Sequence, residues 1–254
     1  MKSTRQKYLL IILLVSLSGC VVYHPKVVPA SLIKEKGEIQ LNGGTDFPAV
    51  GVYANVGYGI NKFISTQVFG HFSLWGTYHL DFNSGLYKNF NKINIGIYGG
   101  YAYGHGNFDE GSAMKPVTNW KGYYEIKYAK FQLIKLSKRL DYGIILKFGY
   151  FSPSYIHTID STVQILKNQK GTILEPSLFF NLKFTERLSL TINYTNSYIN
   201  PINKLDKYYP KHYELEYNWY GSIGIGVAYK IKTGHNTSYE NNLQNVQINK
   251  YYIK

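Results

Sequence analysis

The chain has a single cysteine in 254 residues, Cys20. No internal disulfide can form, so a disulfide-stapled secreted domain and a cysteine-based zinc site are both excluded. Its apolar stretch near the N-terminus, Tyr8 to Leu17, falls short of the roughly 20 residues that a permanent membrane-spanning helix needs. Acidic residues are few, 15 against 28 Lys and Arg. The lysines sit mostly in turns and loops and carry no nucleic-acid motif, so nucleic acid is not expected as a partner. His24, His105, His212 and His235 are too scattered to specify a metal site, and no metal or cofactor is expected.

What is present begins with export. Lys2, Arg5 and Lys7 precede the short apolar core, and small residues follow it. That order describes a cleavable signal helix over residues 1–19. Leu17-Ser18-Gly19-Cys20 resembles the lipobox of bacterial lipoproteins, which implies that Cys20 is the lipid attachment residue and the first residue of the mature chain. Removing the three cations of the leader takes the formal charge from +13 to +10. Contact with anionic headgroups or sugar phosphates is the partner chemistry this excess suggests.

Residues 20–36, with Pro25 and Pro29, are expected to form a lipidated periplasmic linker. From 37 to 232 one pattern repeats: an alternating stretch, a short turn, another alternating stretch, a longer loop. Period-2 alternation marks strands with two unlike faces. Ile223, Ile225, Val227, Tyr229 and Ile231 oppose Ser222, Gly224, Gly226, Ala228 and Lys230; Tyr217 and Trp219 extend the apolar face. Leu188, Leu190, Ile192 and Tyr194 oppose Ser189, Thr191, Asn193 and Thr195. A soluble barrel covers its outside with Lys and Glu. Here the second face is Gly, Ser, Asn and Thr, which suits a narrow polar lumen, and the first suits lipid.

The expected fold is therefore all-β: a closed antiparallel transmembrane barrel of about ten strands, with eight as the alternative. The strands fall near 37–44, 48–58, 63–75, 78–89, 93–105, 121–136, 141–156, 172–184, 188–198 and 216–232. Long loops are expected near 105–120, 157–171 and 199–215. Closure is required because lipid cannot satisfy open strand edges. An even count returns the C-terminus to the periplasm, the side where the lipidated N-terminus is expected to start. Residues 233–254 read as a polar periplasmic tail, in which Asn245 to Ile253 could add a strand.

The stretch Pro29 to Gln40, PASLIKEKGEIQ, followed by a Gly-rich hairpin, resembles the start of a family of small outer-membrane β-barrel lipoproteins of Gram-negative bacteria. Ile97-Tyr98-Gly99-Gly100-Tyr101 and Glu175-Pro176-Ser177-Leu178 are similar to later strands of that family. The resemblance implies an outer-membrane barrel, both lipid-anchored and membrane-spanning, and carries no catalytic residue across. Ser222, Gly224, Val227 and Tyr229 resemble the final-strand signal read by the barrel-assembly machinery, the expected assembly partner. Lipopolysaccharide and other outer-membrane lipids are the remaining expected partners of a monomer.

Charges within strands are expected to face the lumen and pair there: Asp81, Glu125, Lys127, Lys147, Glu175, Lys183 and Lys230. Lone buried charges are costly, so they should form a structural ion network or line a selective path. An enzymatic reading rests on His71 and Ser73 sharing one strand face, with Asp81 to orient the base. His157 and Asp160 form a weaker pair. No surrounding motif supports either, and the chain is not expected to be an enzyme. The expected role is structural or surface-interacting, with a narrow pore or small-solute transporter as the alternative.

Overall fold

The computed structural model describes residues 26, 28–47, 50–74, 76–112, 115–159, 162–166, 170–201 and 220–232. Eleven strands follow in order: β1 Glu38–Phe47, β2 Gly51–Gly59, β3 Ile64–Ser73, β4 Tyr78–Phe90, β5 Ile93–Ser112, β6 Lys115–Lys135, β7 Leu140–Ile159, β8 Thr162–Leu166, β9 Gly171–Lys183, β10 Leu188–Pro201 and β11 Tyr220–Lys232. Consecutive strands pair antiparallel except β8 and β9, which both pair with β7, and β1 pairs with β11 from Glu38↔Lys232 to Phe47↔Ile223. β8 pairs only with the far end of β7, above the start of β9, so the two share one position in the wall. The result is a closed barrel of ten staves.

The wall is inside-out. Leu41, Val56, Val68 and Phe82 stand opposite one another in register across β1 to β4 and are all at least 36% exposed. Phe131, Leu146, Phe180, Ile192 and Val227 carry the same apolar belt around the remaining staves. The alternate residues, among them Gln40, Gln67, Asp81, Gln132, Asp141, Lys147 and Asn193, are buried in the lumen. A strand wall with apolar residues outward and polar ones inward is the pattern of a barrel in lipid.

Turns at residues 60–63, 91–92, 136–139 and 184–187 lie at the same end as the start of β1 and the end of β11. Short turns mark the periplasmic side of such barrels. Asn91, in the left-handed region at φ 42°, makes the tightest of these turns. At the opposite end the rim is uneven. β1 to β3 are 9–10 residues long, whereas β5 to β7 are 20–21.

Ten staves match the expected count, and the strands near 37–44 and 78–89 are both present. Two loop assignments need correction. The stretch near 105–120 is an extended hairpin formed by the upper β5 and β6, with a register shift between Glu110 and Ser112. The stretch near 157–171 contains the end of β7 and all of β8. In both, backbone pairing persists above the belt, where no lipid imposes an apolar face. The signal helix, Cys20, Tyr217, Trp219, the loop 202–219 and the tail 233–254 lie outside the described residues.

Candidate functional site: the occupied lumen

The lumen holds the chain's own N-terminal segment. Residues 28–33, expected as part of a periplasmic linker, run inside the barrel with Ala30, Ser31, Leu32 and Ile33 at most 2% exposed, and the chain emerges at Lys34. Two features turn the chain inward. Gly37 adopts φ 77°, a conformation that glycine takes without steric cost, and its N–H donates to the Gly59 carbonyl at 2.7 Å. On β2, Gly57 and Gly59 face the segment, and a Cβ at Gly57 would stand 3.2 Å from Ile33 Cδ1.

An irregular segment in a lumen must have its peptide groups satisfied by side chains, because it makes no ladder of its own. Long amides do this here. Gln132 Oε1 accepts from the Ser31 N–H at 3.3 Å, and its Nε2 donates to the Ser31 carbonyl at 2.8 Å. Gln40 Oε1 accepts from the Leu32 N–H at 2.7 Å while its Nε2 donates to the Ala30 carbonyl at 3.2 Å. Gln67 donates to the Pro29 carbonyl, Asn89 to that of Ile33, and Lys230 Nζ to that of Leu32 at 2.6 Å. Apolar side chains complete the fit: Ala30 and Leu32 cluster with Ile134, Ile145 and Phe179, and Ile33 with Tyr87 and Tyr98. Side chains from eight of the ten staves hold the segment, all but β2 and β10.

Above and beside the segment lies a charge network. Asp81 accepts hydrogen bonds from Tyr128 Oη and from Asn83 Nδ2 at 3.2 Å. Lys147 Nζ stands 3.4 Å from Asp81 and 3.2 Å from Glu175, and 4.3 Å from the centre of the Tyr128 ring. Lys130 Nζ donates to Gln67 Oε1 at 2.7 Å and Asn83 Oδ1 at 3.0 Å, and lies over the Tyr98 ring. Near the periplasmic mouth Lys183 pairs with Asp141 at 2.6 Å, and Lys230 with Glu38 at 3.1 Å. Carboxylates and ammoniums thus meet within the low-dielectric interior, as the cost of lone charges demands.

Of the charges expected inside, Asp81, Lys147, Glu175, Lys183 and Lys230 are there. Glu125 and Lys127 are not. Both point outward, on the part of β6 paired with Tyr103 and Tyr101. Both are exposed, so neither carries the desolvation cost of a buried charge. Beside them a groove on the outer wall is lined by Tyr103, Tyr123, Glu125, Ser152, Ser154 and Lys170.

The expected nucleophile and base do not meet. His71 and Ser73 do share the lumen face of β3, but His71 Nε2 bonds Asp46 at 2.8 Å, and Ser73 Oγ bonds Thr77 Oγ1 at 2.6 Å. Asp81 belongs to the Lys147 network and does not orient His71. His157 lies on β7, with Asp160 outside the described residues. Among the described residues no cluster of three metal-ligating side chains forms.

The large lumen aromatics are absent from the sequence reading. Tyr124 and Tyr128 lean along the lumen wall over β5 toward His79 and Asp81 of β4, and lie against Gly104 and Gly100, where any Cβ would collide with their rings. Glycines alternating with tyrosines on adjacent staves are the signal that marks such a fit.

No protein-family model matches the chain, nor does any curated protein. Among solved structures, the outer membrane protease OmpT from Escherichia coli superimposes with a TM-score of 0.50 at 11% identity, over 76% of this chain and 93% of that one. Ail, the attachment invasion locus protein of Yersinia pestis, gives 0.36 at 13% identity, over 77% of this chain and 99% of its own. At such identities the likeness concerns the fold alone. The chain folds as an outer-membrane β-barrel.

Proposed function

We propose that the protein is a lipid-anchored barrel of the outer membrane that is closed by its own N-terminal segment and acts through its exterior and its outer loops. The observation carrying this reading is the occupied lumen, in which wall side chains satisfy the peptide groups of residues 29–33 in turn. Such a lumen is built for occlusion and rigidity. The proposed role is structural or surface-interacting.

Lipopolysaccharide is the proposed lipid partner. Exposed Lys121 and Lys127 on the outer face of β6, with Lys170 beside the groove, are the cations that would meet its phosphates. The barrel-assembly machinery is the proposed insertion partner, and the functional unit is a monomer, since β1 and β11 close the wall without a second copy.

A narrow water-filled path is the second reading. The amides of Asn55 and Asn193, buried on β2 and β10 where the segment makes no polar contact, have no hydrogen-bond partner among the described residues. Planar-bilayer conductance of the purified full chain separates the two. The occluded barrel gives no steady channels; discrete, reproducible openings would sink it in favour of the path.

A further inference from the structure

The periplasmic end of the wall carries a ring of cations. Each of its four turns has an exposed one: Lys62, Lys92, Arg139 and Arg187. Lys88 and Lys135, at the lower ends of β4 and β6, are exposed and point outward. Little stands near to neutralise them. Lys183 and Lys230 turn into the mouth, where Asp141 and Glu38 pair with them. The exposed carboxylates at this end, among the described residues, are Glu35, which pairs with Lys232 at 3.7 Å, and Glu186. Among the described residues no cation of the outer ring forms an ion pair.

Three of these cations rest on aromatic rings. Lys62 Nζ lies 5.0 Å from the centre of the Phe63 ring, and Lys88 Nζ 4.8 Å from that of Phe90. Lys135 Nζ lies 5.6 Å from the ring of Tyr142, its register partner on β7. The three rings are 40–48% exposed, and Phe184 at the fourth turn is 61% exposed. Rings left open on the outside of a barrel belong at the edge of the hydrocarbon. Each lysine therefore has its stem along apolar surface and its head in the polar layer. A ring face attracts the ammonium from one side. The other side keeps its N–H donors for an anion.

From this ring we infer that the lower rim of the barrel selects anionic phospholipids of the periplasmic leaflet, with Lys62, Lys88 and Lys135 taking the headgroup phosphates. Phosphatidylethanolamine offers a phosphate as well, but its own ammonium competes with the lysines. Phosphatidylglycerol offers the phosphate without that competitor. An anionic polymer below the barrel would meet the tips of the turns; cations held sideways against outward rings face lipid. The inference concerns another leaflet and other cations than the lipopolysaccharide reading, and stands without it.

The purified full chain in phosphatidylcholine vesicles tests this, with spin-labelled phosphatidylglycerol and spin-labelled phosphatidylcholine as probes. Electron paramagnetic resonance reads the fraction of each label held at the protein surface. The expected result is a preference for the phosphatidylglycerol label of about fivefold, the effect of one lysine at an anionic headgroup. High salt should weaken it. Lys62→Gln/Lys88→Gln/Lys135→Gln should bring it close to one while the unheated protein still migrates as a folded barrel. Lys88→Gln alone should lose part of it, which keeps the test open if the triple variant fails to fold. Lys121→Gln/Lys127→Gln, on the upper wall, should keep most of it. Equal retention of the two labels by the parent would overturn the inference, as would a preference that survives the triple variant. Equal loss in the upper and lower variants would overturn it too, because the lipid would then read net charge and not the ring. Pelleting of the parent with purified peptidoglycan, without any lipid preference, would assign the ring to the cell wall instead.

Discussion

Replacing Lys147 by Met should destabilise the barrel more than any change to a single one of its carboxylate partners. The ammonium is almost fully buried and lies between Asp81 at 3.4 Å and Glu175 at 3.2 Å. Methionine keeps most of the stem volume against the Tyr128 ring but leaves two carboxylates in one dry space with no cation between them. Breaking a buried pair by removing one partner costs about 3–5 kcal/mol. With two orphaned partners the upper part of that range applies, roughly three to four orders of magnitude in the folded-to-unfolded ratio. Asp81→Asn should cost less, about 1–3 kcal/mol, because Glu175 still neutralises Lys147 and the Asn carbonyl still accepts from Tyr128. The assay is urea unfolding of the purified barrel in detergent micelles, followed by tryptophan fluorescence. The double variant completes a cycle, and its coupling energy should be at least about 1 kcal/mol for groups in direct contact. A Lys147→Met barrel with the midpoint of the parent would refute the reasoning, since the network would then hold nothing.

Gln132→Ala removes both hydrogen bonds to Ser31 as well as that to Asn94; it should cost about 1–3 kcal/mol and raise the rate at which an added protease cuts residues 28–33 in the purified barrel. Gly57→Val should do the same by steric pressure on Ile33, with Gly70→Val, which has more room, as the milder control; equal protection in both would argue against a tight fit. Glu125→Gln and Lys127→Gln should each leave the unfolding midpoint within the ~0.5 kcal/mol expected of surface changes. A loss as large as that at Lys147 would put those charges back in the lumen.

The staves were legible where lipid makes the two faces unlike. β9, β10 and β11 alternate Leu, Ile or Phe with Ser, Asn, Thr or Gly, and their positions follow from that contrast. Above the belt the contrast vanishes: Gly104 to Ser112 and Lys115 to Lys121 have no apolar side, yet their backbones go on pairing for the whole hairpin. The same loss of contrast explains Glu125 and Lys127. A charge in a strand need not point inward where its outer side is open to solvent.

The segment in the lumen was not legible, because its irregular path has no period and its prolines suggest a linker. Its signature lay instead in the wall. Gln40, Gln67 and Gln132 are long amides at lumen positions of three separate staves, and a narrow lumen filled by short polar residues has no use for them. Gly57 and Gly59 mark the space they surround. Ser73 and His71 show the opposite failure. A shared strand face was correctly inferred, but the partners come from elsewhere in the wall: Asp46 of β1 takes His71, and Thr77 just before β4 takes Ser73.

Whether residues 28–33 occupy the lumen is tested most directly by a cross-link. Ser31 Oγ and Ser65 Oγ lie 3.5 Å apart, one on the segment and one on β3. In the oxidising periplasm, the full chain with Ser31→Cys and Ser65→Cys should form a disulfide between them. Heat-denatured protein should then migrate faster without reductant than with it, and neither single variant should do so. Two thiols that both remain free, and that an added alkylating reagent modifies in the folded barrel, would contradict the closed lumen.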